Sequence, residues 1–200
     1  MNNLYKKITT DLINAGYAIR NYSSIRWFTK NIQRIMDSRH TKSRLQKLST
    51  PGIGKMFLLS YLPKHIAKLP YFDRFPLIFV IRIQSDGFLG LNLHYLPPSE
   101  RAILMKALLH IASNNEKMDE TTRLKISFKV LNAFSQKQRA RVCVRKYLYT
   151  HVESIGLIPA NEWIHSTFLP LEGFRRKSRH FSKQTVWKES VDKMKGNNGN

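Results

Sequence analysis

The chain has 200 residues and a formal charge of +21, set by 34 Lys and Arg against 13 Asp and Glu. A hydrophobic fraction of 42% suffices for a packed core and excludes a wholly disordered basic chain. One cysteine, Cys143, excludes an internal disulfide and a cysteine-rich zinc site, no apolar run reaches the about 20 residues of a membrane span, and the N-terminus shows no secretory signal.

In chain order, Leu4, Ile8, Leu12, Ala15 and Ile19 recur every three or four residues and predict an amphipathic helix, weakened by Gly16. Ile25, Phe28, Ile32, Ile35 and Met36 predict a second helix, whose other face carries Arg26, Lys30 and Arg34. The stretch DSRHTKSRLQKLSTP that follows is polar and basic and reads as a linker or arm. Residues 1–50 hold ten bases and two acids.

The middle changes character. Residues 55–61, 76–84 and 88–95 read as strands, the last two joined by Ser85-Asp86-Gly87, a hairpin signal. Alternation puts Leu89, Leu91, Leu93 and Tyr95 on a core face, and Phe88, Gly90, Asn92 and His94 on the other. Pro97-Pro98 ends the strand, and Pro98 suits the first turn of a helix carrying Ile103, Leu104, Ala107, Leu108 and Ile111. Asn114-Asn115 stops that helix, and Asp119 caps another with Leu124, Phe128 and Leu131 at helical spacing. Residues 126–130 also alternate like a strand. Residues 140–154 predict a further helix, although Val142, Val144 and Tyr147 suit a strand as well. A short helix is expected at 162–168. From Gly173 the chain is basic and polar, and its last residues are expected to be disordered.

The expected fold is α+β: a small, mainly antiparallel sheet packed by helices from residues 98–168, with an N-terminal helical arm and a basic C-terminal tail. The expected division is a basic helical arm and linker at 1–50, an α+β core at 51–172 and a tail at 173–200. The charge gathers at the ends, whereas residues 53–135 hold eleven bases and six acids. Such excess opposes compaction and calls for a polyanion. The expected contacts with nucleic acid are Arg26, Lys30, Arg34, Arg39, Lys42 and Arg44 at one end, and Arg175, Arg176, Lys177, Arg179 and Lys183 at the other. No base-reading motif accompanies them, so backbone binding without sequence preference is the expectation.

Catalysis finds little support. Asp73 and Asp86 flank one strand at opposite ends, whereas two-metal chemistry needs converging carboxylates. Asp86 suits a turn, and Asp73 an ionic or capping role. The seven histidines lack metal-ligand spacing, and His94 reads as a buried histidine. Cys143 reads as a small core residue, and Gly52-Ile53-Gly54-Lys55 lacks the spacing of a phosphate loop. No catalytic residue, metal or cofactor is expected.

The stretches GKMFLLSYLPK, LPYFDRFPL, SDGFLGLNLHYLPP and KMDETTRLKISFKVL, within residues 53–170, resemble small virion proteins of T-even-type contractile-tailed phages, the family labelled DNA end protector. The resemblance implies a non-enzymatic protein acting on packaged DNA or at the head–tail region, without a cofactor, in the virion and in host cytoplasm during assembly. The alternative is a structural connector of neck or baseplate that docks on other virion proteins. No family residue is carried over.

Overall fold

The structure, a computed structural model, describes residues 22–37, 51–113, 120–136, 138–168, 174–176, 179–181, 185–189 and 192. The expected first helix, Arg39, Lys42, Arg44, the Asn114-Asn115 stop, the Asp119 cap, Lys177 and Lys183 lie outside those residues.

Five strands make the main sheet: β1 (Met56–Tyr61), β3 (Leu77–Gln84), β4 (Gly87–Asn92), β5 (Val144–Leu148) and β6 (Val152–Ile158). Their order is β5-β4-β3-β1-β6, and every pairing is antiparallel. The short β2 (Phe72–Asp73) lies apart and pairs with β7 (Phe174–Arg176), which pairs with β8 (Arg179–Phe181). The fold is therefore α+β, as expected.

Two expectations need correction. The third predicted strand ends at Asn92, so His94 and Tyr95 sit in the following turn. Residues 144–148 and 152–154 are strand, and helix there is limited to Gln138–Arg141 and the 3-10 turn Tyr149–His151. Two strands of the sheet thus come from a stretch expected to supply helices. Residues 126–130 are helical, inside α3 (Glu120–Gln136).

The sheet cannot be flat. β5 and β6 occupy opposite edges, which four interstrand steps would separate by about 19 Å. Yet one 3-10 turn, Tyr149–His151, joins them, and chain of that length reaches at most about 14 Å. The sheet curls to close the gap. Tyr61 Oη of β1 accepts from the Leu148 amide of β5 at 3.4 Å, and the Leu62 amide donates to the His151 carbonyl at 3.1 Å.

Curling gives the sheet two apolar faces. The concave one is filled by Phe57, Leu59, Tyr61, Ile78, Val80, Phe88 and Tyr147, with Val152 and Ile155. All five strands contribute, so the sheet is a half-closed barrel. Alternation along β4 was read correctly, but both of its faces are buried: Phe88 and Asn92 are as inaccessible as Leu91. Gly90 is needed because a Cβ there would lie 2.8 Å from Ile78 Cδ1 and 3.2 Å from the Tyr147 ring.

The convex face carries the helices. Met56, Leu58, Leu77, Phe79 and Leu91 pack against α1 (Tyr22–Asp37), α2 (Pro98–Ser113), α3 and the 3-10 stretch Ala160–Phe168. α1 contributes Phe28 and Ile35, α2 contributes Leu104, Met105 and Leu108, and α3 contributes Leu131 and Phe134. No helix among the described residues is long and apolar enough to cross a membrane.

Candidate nucleic-acid interface

α1 buries Phe28, Asn31 and Ile35, one stripe at helical spacing, and this turns Arg26, Lys30 and Arg34 to solvent. A four-residue repeat and a rise of about 1.5 Å per residue make them a row with steps of about 6 Å. The row is held in place. A Cβ on Gly156 of β6 would lie 2.6 Å from Ile35 Cγ2, so helix and strand touch. Trp27 Nε1 donates to Glu162 at 2.6 Å, and its ring stacks on His165. Arg34 Nη2 donates to the Leu157 carbonyl at 3.2 Å.

Several of the described acids are engaged by partners within the protein. Glu153 accepts from Ser60 and pairs with Arg74. Glu189 accepts from the Tyr71 hydroxyl at 2.8 Å; burial, then this carboxylate, push the Tyr71 phenol above its ordinary range. Asp86 pairs with Lys146 at 2.8 Å, and that hydrogen bond holds its carboxyl below the usual value. Lys64, Lys68, Arg82, Lys125, Lys129, Arg141 and Lys188 are exposed. The centre, less basic by count than the ends, therefore also exposes bases. Composition hid this because it does not say which charges are consumed internally.

Asp73 and His94 meet, which the sequence did not suggest. The expectation gave Asp73 an ionic or capping role without naming a partner. His94 Nδ1 lies 2.7 Å from Asp73 Oδ2, and the His94 amide donates to Asn92 Oδ1. Asn92 Nδ2 reaches both Asp73 Oδ2 and Tyr147 Oη at 3.0 Å, and Asp73 Oδ1 accepts from the Phe75 amide. An Asp–His pair can orient a general base. Here the His94 side chain has 0% exposure and Asp73 3%, and Phe28 meets the imidazole edge-on. No substrate reaches a nitrogen so enclosed. The cluster instead ties β2 to the barrel, and Trp187 Nε1 donates to the His94 carbonyl from residues 185–189. The sequence signal was present but long-range: Asp73 and His94 are separated by a complete hairpin.

Among the described residues no group of three His, Cys, Asp or Glu side chains could hold a metal. Cys143 is buried, and burial pushes its thiol up to about 12.

Of the residues expected to bind nucleic acid, Arg26, Lys30 and Arg34 share one exposed row. Arg175, Arg176 and Arg179 lie on β7 and β8, where position 175 pairs with 180 and 176 with 179. A relay joins the two regions: Phe28 of α1 meets His94, His94 meets Asp73, and Asp73 pairs with Phe174. The exposed bases on the sheet and on α3 were not among those expectations.

A family model described as Phage T4 terminal DNA protecting protein matches residues 1–190, well beyond the stretch that carried the resemblance. No curated protein and no solved structure matches the chain.

Proposed function

This chain belongs to the phage T4 terminal DNA protecting protein family, and from that membership we propose that it covers DNA ends by gripping phosphates without regard to sequence. The observation that carries the reading is an excess of exposed bases: Arg26, Lys30, Arg34, Lys64, Lys68, Arg82, Lys125, Lys129, Arg141 and Lys188 are exposed, whereas Asp73, Glu153, Glu162 and Glu189 are engaged by His94, Arg74, Trp27 and Tyr71. Exposed Lys and Arg release condensed counterions when they meet a phosphate backbone, which drives binding to any sequence. Protection of this kind is steric and needs no chemical step. The enclosed Asp73–His94 pair has a structural place in such a protein. We assign the α1 row and the 174–181 hairpin to phosphate contact, and we place the protein in the virion with its DNA.

The test is a salt titration of binding to several unrelated duplexes of equal length. The expected result is one common affinity that falls linearly on logarithmic axes as salt rises. Replacing Arg26, Lys30 and Arg34 together with Gln should lower affinity on every duplex by a similar factor and make the slope shallower. A slope unchanged by the triple replacement would remove α1 from the interface. Failure to bind any duplex, with incorporation into DNA-free particles, would favour the connector reading.

A further inference from the structure

Contacts to interior phosphodiesters cannot distinguish the end of a duplex from its middle, because both offer the same linkage. Beside its terminal phosphate or hydroxyl groups, an end exposes the flat apolar face of its last base pair. A protein that prefers ends through its own surface needs a planar apolar platform beside its bases. Large apolar side chains exposed among the described residues are Ile25, Ile53, Leu62, Leu69, Tyr149 and Leu157, and Tyr149 is the aromatic one.

Tyr149 sits in the 3-10 turn that closes the barrel, with 37% of its surface exposed. Its ring packs against that of Phe88, a fully buried residue, with ring centres 5.7 Å apart and planes tilted by 53°. Its amide donates to the Asp86 carbonyl at 3.1 Å, fixing the turn to the tip of the β3–β4 hairpin. Leu62 flanks the same turn, bonded to His151 through its amide and its carbonyl, and is itself 41% exposed. Cations stand on either side in the chain. Lys64 and Lys68 follow Leu62 on an exposed segment, and Lys146 is held by Asp86 at the hairpin tip.

Resting on the DNA-end reading above, we infer that Tyr149 is a stacking platform for the terminal base pair of duplex DNA, with Leu62 beside it and Lys64 and Lys68 taking the flanking phosphates. A packed ring loses little freedom when a base stacks on it, and stacking tolerates any base, which suits a protein indifferent to sequence. The arrangement separates two tasks: bases grip, and the ring recognises the end.

The experiment compares the full chain on a short blunt duplex and on the same duplex closed at both ends by thymine loops, using fluorescence anisotropy at low salt. The wild type should favour the open duplex. Tyr149→Ala should weaken binding to the open duplex by about 5- to 150-fold, the range for loss of one base–aromatic stack, and leave the closed duplex unaffected. Tyr149→Trp should keep the preference, and Lys64→Gln with Lys68→Gln should weaken both substrates alike. Thermal melting of each variant confirms that it is folded. A preference that survives Tyr149→Ala in a folded protein overturns the inference. Equal wild-type binding to both substrates also overturns it, while leaving phosphate gripping intact. No binding to either substrate removes the DNA reading and the platform with it.

Discussion

Gly87 shows how a correct residue-scale reading can rest on the wrong cause. Asp86-Gly87 was taken as a hairpin signal, and the hairpin is there. Yet Gln84 pairs with Gly87, so the turn is Ser85-Asp86 and Gly87 opens β4. Glycine is required because a Cβ would lie 2.1 Å from the Tyr147 carbonyl oxygen of β5. At Gly90 the nearest atom is the end of a flexible side chain, Ile78 Cδ1. Gly87→Ala should therefore cost more than Gly90→Ala, with Gly90→Ala inside the about 1–3 kcal/mol usual for overpacking; urea unfolding of both variants checks the order. Asp73 and His94 illustrate what a sequence hides. Each residue was legible as buried or ionic, but the pair was not, because β2 reaches His94 only through the tertiary fold. Removing Asp73 leaves His94 and Asn92 buried without a hydrogen-bond acceptor, so Asp73→Ala should cost about 1–3 kcal/mol or more in the same assay. Cys143 adds a pH dependence. Its thiol moves from an ordinary 9.0 to about 12, so the folded state holds the proton more tightly. Its contribution is complete below about 9 and is lost as pH climbs toward 12. Alkaline unfolding followed by circular dichroism should begin in that window and should be less steep in Cys143→Ala.

At the scale of elements, legibility followed the number of faces that an element buries. α1 was readable because one stripe is buried and the opposite one carries charge, a pattern of period 3.6. β5 and β6 were harder. β5 carries a buried Tyr147 between an exposed Lys146 and a half-buried Leu148, and its Arg and Lys positions blur the alternation. The barrel's closure was unreadable, since it depends on where Tyr149–His151 must reach rather than on what those residues prefer. The docking of α1 gives a test at this scale. Gly156 is the point where helix and strand touch, and Ile35 Cγ2 occupies the space a side chain would need. Gly156→Val should lift α1 from β6 while leaving the barrel interior, which lies on the opposite face, folded. Hydrogen exchange should then speed up at amides of residues 25–36 and stay slow in β3 and β4. Equal acceleration everywhere would mean that α1 and the barrel unfold as one unit.

For the whole molecule, the basic surface works against its own fold. The 13 acids leave a net charge of +21, which solvent ions must balance in the free protein, and among the described residues Glu153, Glu162, Glu189 and Asp86 are already engaged by partners within the protein. Self-repulsion of that size destabilises a compact state. Salt relieves it, because the screening length falls from about 30 Å at 0.01 M to about 8 Å at 0.15 M. The same salt competes with phosphate for the same side chains and weakens binding to DNA. Melting temperature without DNA should therefore rise with ionic strength while affinity for a duplex falls, two opposite responses from one set of charges. Duplex DNA at low salt should raise the melting temperature too, since a ligand that binds only the folded chain stabilises it by mass action. Calorimetry and anisotropy over one salt series measure both. The exposed Lys146–Asp86 pair and the partly buried Arg74–Glu153 pair pull the other way, because screening weakens them. A melting temperature that falls with salt would show those few attractions outweighing the repulsion, and would undercut the view of this surface as a phosphate grip waiting for its anion.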